Sequence, residues 1–119
     1  MATIELTADN FEEVVTGSST VFIDFWAPWC APCLSFAPTY EAVAEEYPDV
    51  VFAKVNTEEQ QELATHFQIR SIPTLMIFRD QIIIFSQAGA LPKVQLQEIV
   101  QKAQTLDMDK VRAEIAKQA

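Results

Sequence analysis

The run Val21-Phe22-Ile23-Asp24-Phe25-Trp26 constrains the fold more than any other segment of the chain. It has the length of a strand and is apolar at every position but one, so it has no polar face to turn to water. Such a strand belongs at the centre of a sheet with both faces covered, which calls for helices on either side. The rest of the sequence supplies them. Thr3–Leu6 alternates as a short first strand, and Thr7 stands where it would cap a helix over Ala8–Val15. From Cys30 to Tyr47, the residues Cys33, Phe36, Ala37, Tyr40, Val43, Ala44 and Tyr47 share one face of a long helix. Pro32 fits its first turn, whereas Pro38 is interior and predicts a kink. Val50–Val55 is a further strand, and Thr57-Glu58-Glu59-Gln60 has the form of a capping box opening a helix to Phe67. Thr74–Phe78 and Ile82–Gln87 flank Arg79-Asp80-Gln81 as a hairpin, and Pro92 starts a helix through Val94, Leu96, Ile99, Val100 and Ala103.

The order βαβαβ followed by ββα predicts an α/β domain over residues 1–105, a mixed sheet with helices on both faces. Residues 106–119 form a C-terminal helical extension, capped at Asp107 or Asp109. It is expected to lie on its own domain through Met108, Val111 and Ile115, with an interface helix as the alternative. Acidic residues outnumber basic ones by 17 to 8, for a net charge of −9. That disfavours phosphate backbones and anionic lipid, so neither nucleic acid nor a membrane is an expected partner. No apolar run approaches the roughly 20 residues of a membrane-spanning helix. The segment Met1–Leu6 lacks the basic-then-apolar form of a signal peptide. The expected location is the cytoplasm, where thiols are kept reduced.

Only two cysteines exist, Cys30 and Cys33, and they open the long helix. A structural disulfide more often ties distant segments, so a pair this close points to chemistry. Free N–H groups and the helix dipole stabilise an anion at Cys30 and lower its thiol pKa. Cys33 lies one turn inward on the apolar face. The asymmetry makes Cys30 the nucleophile toward a disulfide and Cys33 the thiol that resolves the mixed disulfide. An unperturbed thiol is roughly 3% thiolate at pH 7. Lowering its pKa by about 1.5 units raises that about 16-fold, but the weaker nucleophile gives back roughly 5-fold, leaving about 3-fold. Positioning Cys33 beside the mixed disulfide therefore matters more than ionisation. The alternatives for the pair are two buried thiols or a zinc half-site. Zinc takes about four ligands, and His66 is the only further histidine or cysteine, on a helix whose inner positions are Leu63 and Phe67. No metal is expected.

Asp24 is the one polar residue in its strand. Burial raises the pKa of a carboxyl, and such a group can accept a proton. Its alternative is a strand-edge aspartate touching water. Lys54, on the adjacent predicted strand, is either its partner or an exposed charge with its stem over the sheet. Pro73, in Ile72-Pro73-Thr74, either begins a strand or holds a cis peptide bond.

The ordered set Asp24-Phe25-Trp26-Ala27, Trp29-Cys30-Ala31-Pro32-Cys33, Pro38, Lys54, Arg70-Ser71-Ile72-Pro73-Thr74 and Gly89-Ala90 resembles the thioredoxin family over about residues 3–104. The resemblance implies a thioredoxin fold of five strands flanked by four helices and a protein-disulfide reductase acting in cell redox homeostasis. It implies that Asp24 assists proton transfer with Lys54 nearby, and that Pro73 is cis and faces the dithiol. Substrate backbone would dock beside Pro73 and Thr74, on a patch of Trp29, Ala31, Pro32, Ile72, Gly89 and Ala90. No bound cofactor is implied. Electrons would come from NADPH through a flavin-containing thioredoxin reductase to a monomer whose partners are protein disulfides. The sequence departs from the family pattern at Ala31, where glycine is usual, at Leu34, where a cation is usual, and at Asp80-Gln81, where the hairpin lacks glycine. The stretch 106–119 also extends past the usual end. Ala31, Leu34 and the added stretch motivate, as an alternative, a specialised redox partner of a few clients; a binding module using the patch is a further alternative, against which the intact dithiol argues.

Overall fold

Val21–Phe25 is fully buried because its strand has a neighbour on each side and helices over each face. The computed structural model describes residues 2–118. Its elements are β1 (Thr3–Glu5), α1 (Phe11–Thr16), β2 (Thr20–Trp26), α2 (Ala31–Glu46), β3 (Val51–Asn56), α3 (Gln61–His66), β4 (Thr74–Arg79), β5 (Ile82–Ala88), α4 (Lys93–Thr105) and α5 (Met108–Gln118). The sheet order is β1-β3-β2-β4-β5, with β1, β3 and β2 parallel and β4 and β5 antiparallel. This is the mixed five-stranded sheet expected, with the four flanking helices and the additional C-terminal one.

Alternation along the strands divides the core into two layers. Phe22, Phe52, Leu75 and Ile77 pack with Phe36, Tyr40 and Val43 of α2 and with Leu96 and Val100 of α4. Ile23, Phe25, Val55, Met76 and Phe78 pack on the opposite face with Phe11 of α1 and Leu63 and Phe67 around α3. Tyr40 is wholly buried, and its hydroxyl donates to the Ala53 carbonyl at 2.8 Å, pinning α2 to β3.

Two helix starts differ from expectation. Thr7 does not cap α1. Its N–H instead donates to Asn10 Oδ1 at 2.7 Å in a turn, and the helix starts at Phe11. Thr57 does not cap α3 either. Its N–H and hydroxyl both donate to the Trp26 carbonyl, and residues 57–59 form a turn before Gln61. Asn10 Nδ2 in turn donates to the carbonyl of Glu5 at the end of β1, while Thr57 itself holds the end of β2. The hairpin turn is built by Asp80 (φ 50°) and Gln81 (φ 68°), both left-handed, as a two-residue primed turn requires, here without glycine.

The C-terminal helix is capped by Asp107, whose Oδ1 accepts the N–H groups of Asp109 and Lys110. It rests on its own domain through the buried Met108 and an Arg112–Asp80 ion pair at 3.2 Å, while Ile115 stays 46% exposed. Arg79, at the end of β4, donates from Nη1 to the carbonyls of Ala103, Gln104 and Leu106, fastening the end of α4 to the sheet.

Candidate active site

The C-terminal end of β2 delivers the chain into Ala27-Pro28-Trp29, and the Cys30 N–H donates back to the Ala27 carbonyl at 3.2 Å. Cys30 is the N-cap of α2, in extended geometry, and is disulfide-bonded to Cys33 with Cα atoms 5.2 Å apart. Pro32 has no N–H and the Leu34 N–H goes to the Cys30 carbonyl, so the Cys33 N–H is left to point at Cys30 Sγ, 3.2 Å away. A thiolate at Cys30 would meet this same donor and the positive end of α2. Cys30 is 5% exposed and Cys33 1%, and the pair packs with Ala27, Trp26 and Ile72.

The Ile72–Pro73 peptide is cis, and the Ile72 carbonyl oxygen lies 3.8 Å from Cys30 Sγ. The Pro73 carbonyl accepts the Gly89 N–H at 2.8 Å. Gly89 has φ +105°, a conformation an L side chain rarely adopts, so glycine is what lets β5 end beside Pro73. Thr74 is buried, its hydroxyl donating to the Ser71 carbonyl at 2.6 Å. Trp29, Ala31, Pro32, Gly89 and Ala90 are exposed, and Ile72 is half-buried. The fold thus collects chain segments that are far apart in sequence around one dithiol.

Asp24 is 1% exposed, and neither carboxylate oxygen has a hydrogen-bond partner among the described residues. Desolvation by burial raises its pKa to about 7, against an opposing pull from Lys54. Lys54 stands opposite Asp24 in the β2–β3 register, yet forms no ion pair with it within 4 Å among the described residues. Its Nζ sits 4.6 Å above the Trp26 ring, where a cation is held by the π face. Lys54 therefore reaches Asp24 through its field. Burial, then the Asp24 charge, push the Tyr40 hydroxyl pKa well above its ordinary value.

The sequence places Glu58 only in a capping box and gives it no role at the site. Trp29 is 68% exposed, and its indole Nε1–H donates to Glu58 Oε1. Asn56, buried at the end of β3, accepts the Glu58 N–H on Oδ1 and so shapes the loop that presents this carboxylate. Twenty-nine residues separate the two partners, so no local pattern signals the contact. His66 closes α3 and is exposed.

A family model described as Thioredoxin matches residues 2–102. The chain is 54% identical over 117 residues to a putative thioredoxin 2 of Streptomyces coelicolor, covering 98% of this chain and 87% of that protein. It is 46% identical over 92 residues to thioredoxin 1 of Synechococcus elongatus, covering 76% and 86%. Among solved structures, thioredoxin F from spinach chloroplast superposes with a TM-score of 0.79 at 33% identity, covering 87% of this chain and 96% of that one. A mutant thioredoxin from Halobacterium salinarum gives 0.82 at 27%, covering 89% and 95%.

Proposed function

Because the chain belongs to the thioredoxin family, and is thereby a protein thiol–disulfide oxidoreductase, we propose that its Cys30–Cys33 pair works in the reducing direction on protein disulfides. One observation carries the reading. A dithiol seated at a helix N-terminus, with the Cys33 N–H aimed at Cys30 Sγ, follows directly on the strand that carries a buried carboxyl with no partner among the described residues. The Cys30 thiolate attacks one sulfur of the client disulfide, forming a mixed disulfide and expelling the other sulfur as a thiolate. The Cys33 thiol then gives its proton toward Asp24, attacks Cys30 Sγ and closes the internal disulfide. The second client thiolate leaves, and the client has gained two electrons. With a pKa near 7, Asp24 is ionised often enough at neutral pH to take that proton and protonated often enough to return it.

Client backbone docks on Ile72, Pro73, Thr74, Gly89 and Ala90, and client side chains on Trp29, Ala31 and Pro32. Residues 1–105 make up the redox domain and 106–119 an extension. The same reading has a monomer in the cytoplasm, recharged from NADPH by flavin-containing thioredoxin reductase, as the family resemblance implies. Among the described residues, no helix is long and apolar enough to cross a membrane. The test is reduction of insulin disulfides with dithiothreitol as electron source. Wild type should turn over and Cys30→Ser should not. Activity retained by Cys30→Ser would remove Cys30 as the nucleophile. The potential of the pair against glutathione buffers fixes the direction, since a strongly oxidising value would make the protein a disulfide donor.

A further inference from the structure

A second surface begins where the dithiol ends. Leu34 follows Cys33 on α2 and is 53% exposed. It opens a groove of about 670 Å³ that runs between α2 and the outer strand β1. Leu34, Ala37 and Pro38 form one wall and Ile4, 40% exposed on β1, the other. Pro38 has no N–H, so the Leu34 carbonyl lacks its helical donor. Trp26 and Lys54 lie at the groove's inner end, the lysine ammonium held over the indole. Glu5 and Glu59 line it as well, both exposed and neither in an ion pair among the described residues.

The charged lining of this groove is mostly acidic, with Glu5, Glu41 and Glu59 against one cation, Lys54, whose ammonium is held over the Trp26 ring. Glu59 adjoins Glu58, the carboxylate that holds Trp29, so acidic side chains stand both at the dithiol surface and in the groove. An apolar trough rimmed by carboxylates and ending at a redox site fits a polypeptide that is itself apolar and basic.

We propose that this groove receives a segment of the disulfide-bearing client, an apolar side chain seated against Leu34 and Ile4 and a flanking Lys or Arg facing Glu59 and Glu5. The inference rests on the oxidoreductase reading and adds the chemistry of the clients. They are proteins whose disulfide lies beside an apolar–basic segment. Leu34, where a cation would repel such a segment, then becomes a determinant of client choice.

Two synthetic cystine peptides test this, identical except for a Leu-Arg-Leu-Arg or a Leu-Glu-Leu-Glu flank, with a small aromatic disulfide as the flankless control. Wild type should show a kcat/KM for the basic peptide about 10-fold above the acidic one at low salt, falling as salt screens the rim. The variant Leu34→Gln/Glu59→Gln should bring that ratio below about 3-fold while the small disulfide is reduced as by wild type. A ratio near one in wild type, or an undiminished ratio in the variant, overturns the proposal. Loss of activity on the small disulfide by wild type would instead strike the oxidoreductase reading. A binding measurement then decides the groove separately. With Cys30→Ser/Cys33→Ser protein and a serine version of the basic peptide, amide shifts should concentrate at Ile4, Leu34, Ala37 and Glu59. Shifts confined to Trp29, Ile72 and Gly89 would overturn the groove as a docking site.

Discussion

Replacing Asp24 by asparagine should change how stability depends on pH more than any other substitution in the chain. The carboxyl has a folded pKa of about 7 against a model value of 3.8. Between these values the folded state holds a proton that the unfolded state has released. Unfolding stability falls with pH wherever the folded state binds more protons, so Asp24 lowers stability progressively from about pH 4 to pH 7 and is level above that. Three pKa units correspond to about 4 kcal/mol in total, of which about 2.5 kcal/mol falls between pH 5 and pH 8. Urea unfolding of the oxidised protein at half-unit pH steps measures it directly. Wild type should lose that increment across the window, and Asp24→Asn should not. The offset between the two proteins depends on how the amide is accommodated, but the difference in slope does not. Parallel profiles for the two proteins would refute the buried, partnerless carboxyl as the source.

Lys54→Met removes the cation that lowers the Asp24 pKa, so the falling limb of wild-type stability should extend to higher pH in the same urea experiment. Gln81→Gly relieves a left-handed non-glycine residue in the hairpin turn and should stabilise by roughly 0.5–1 kcal/mol, read as a higher urea midpoint at unchanged slope. Arg79→Ala strips the donor from three carbonyls at the end of α4 and should cost about 1.5–3 kcal/mol, with amide exchange quickening at residues 103–106.

Which parts of this protein are legible in its sequence follows from how far each determinant reaches along the chain. Val21–Trp26 declares its central position because burial on two faces leaves no polar residue but Asp24, and that same exception marks the carboxyl. The long helix announces itself by periodicity, and Cys30 by its place at the helix start. Helix starts at Phe11 and Gln61 were hidden because Thr7 and Thr57 have the residue types of caps, while Thr7 donates to Asn10 in a turn and Thr57 to the end of β2. The β2–β3 register puts Lys54 opposite Asp24, but only three-dimensional packing decides that the ammonium prefers the Trp26 ring. The Trp29–Glu58 bond and the Arg79 clasp on α4 join segments far apart in sequence, and neither leaves a local pattern. The isomer of Pro73 was open on physical grounds, and the family resemblance alone favoured cis.

The Arg112–Asp80 pair also fixes where the last helix stands. Asp80 follows Arg79, which pairs with Thr20 at the start of β2, and the Asp80 N–H donates to the Ser19 carbonyl. The dithiol follows the other end of β2, after Trp26. A strand of seven residues lies between them, roughly 20 Å at the usual rise. Helix α5 therefore hangs from the pole opposite the reactive sulfurs. A dye, a resin linkage or a fused domain attached along α5 would leave Cys30 free to meet its clients, which makes this helix a natural handle for holding the protein while its exchange chemistry is watched.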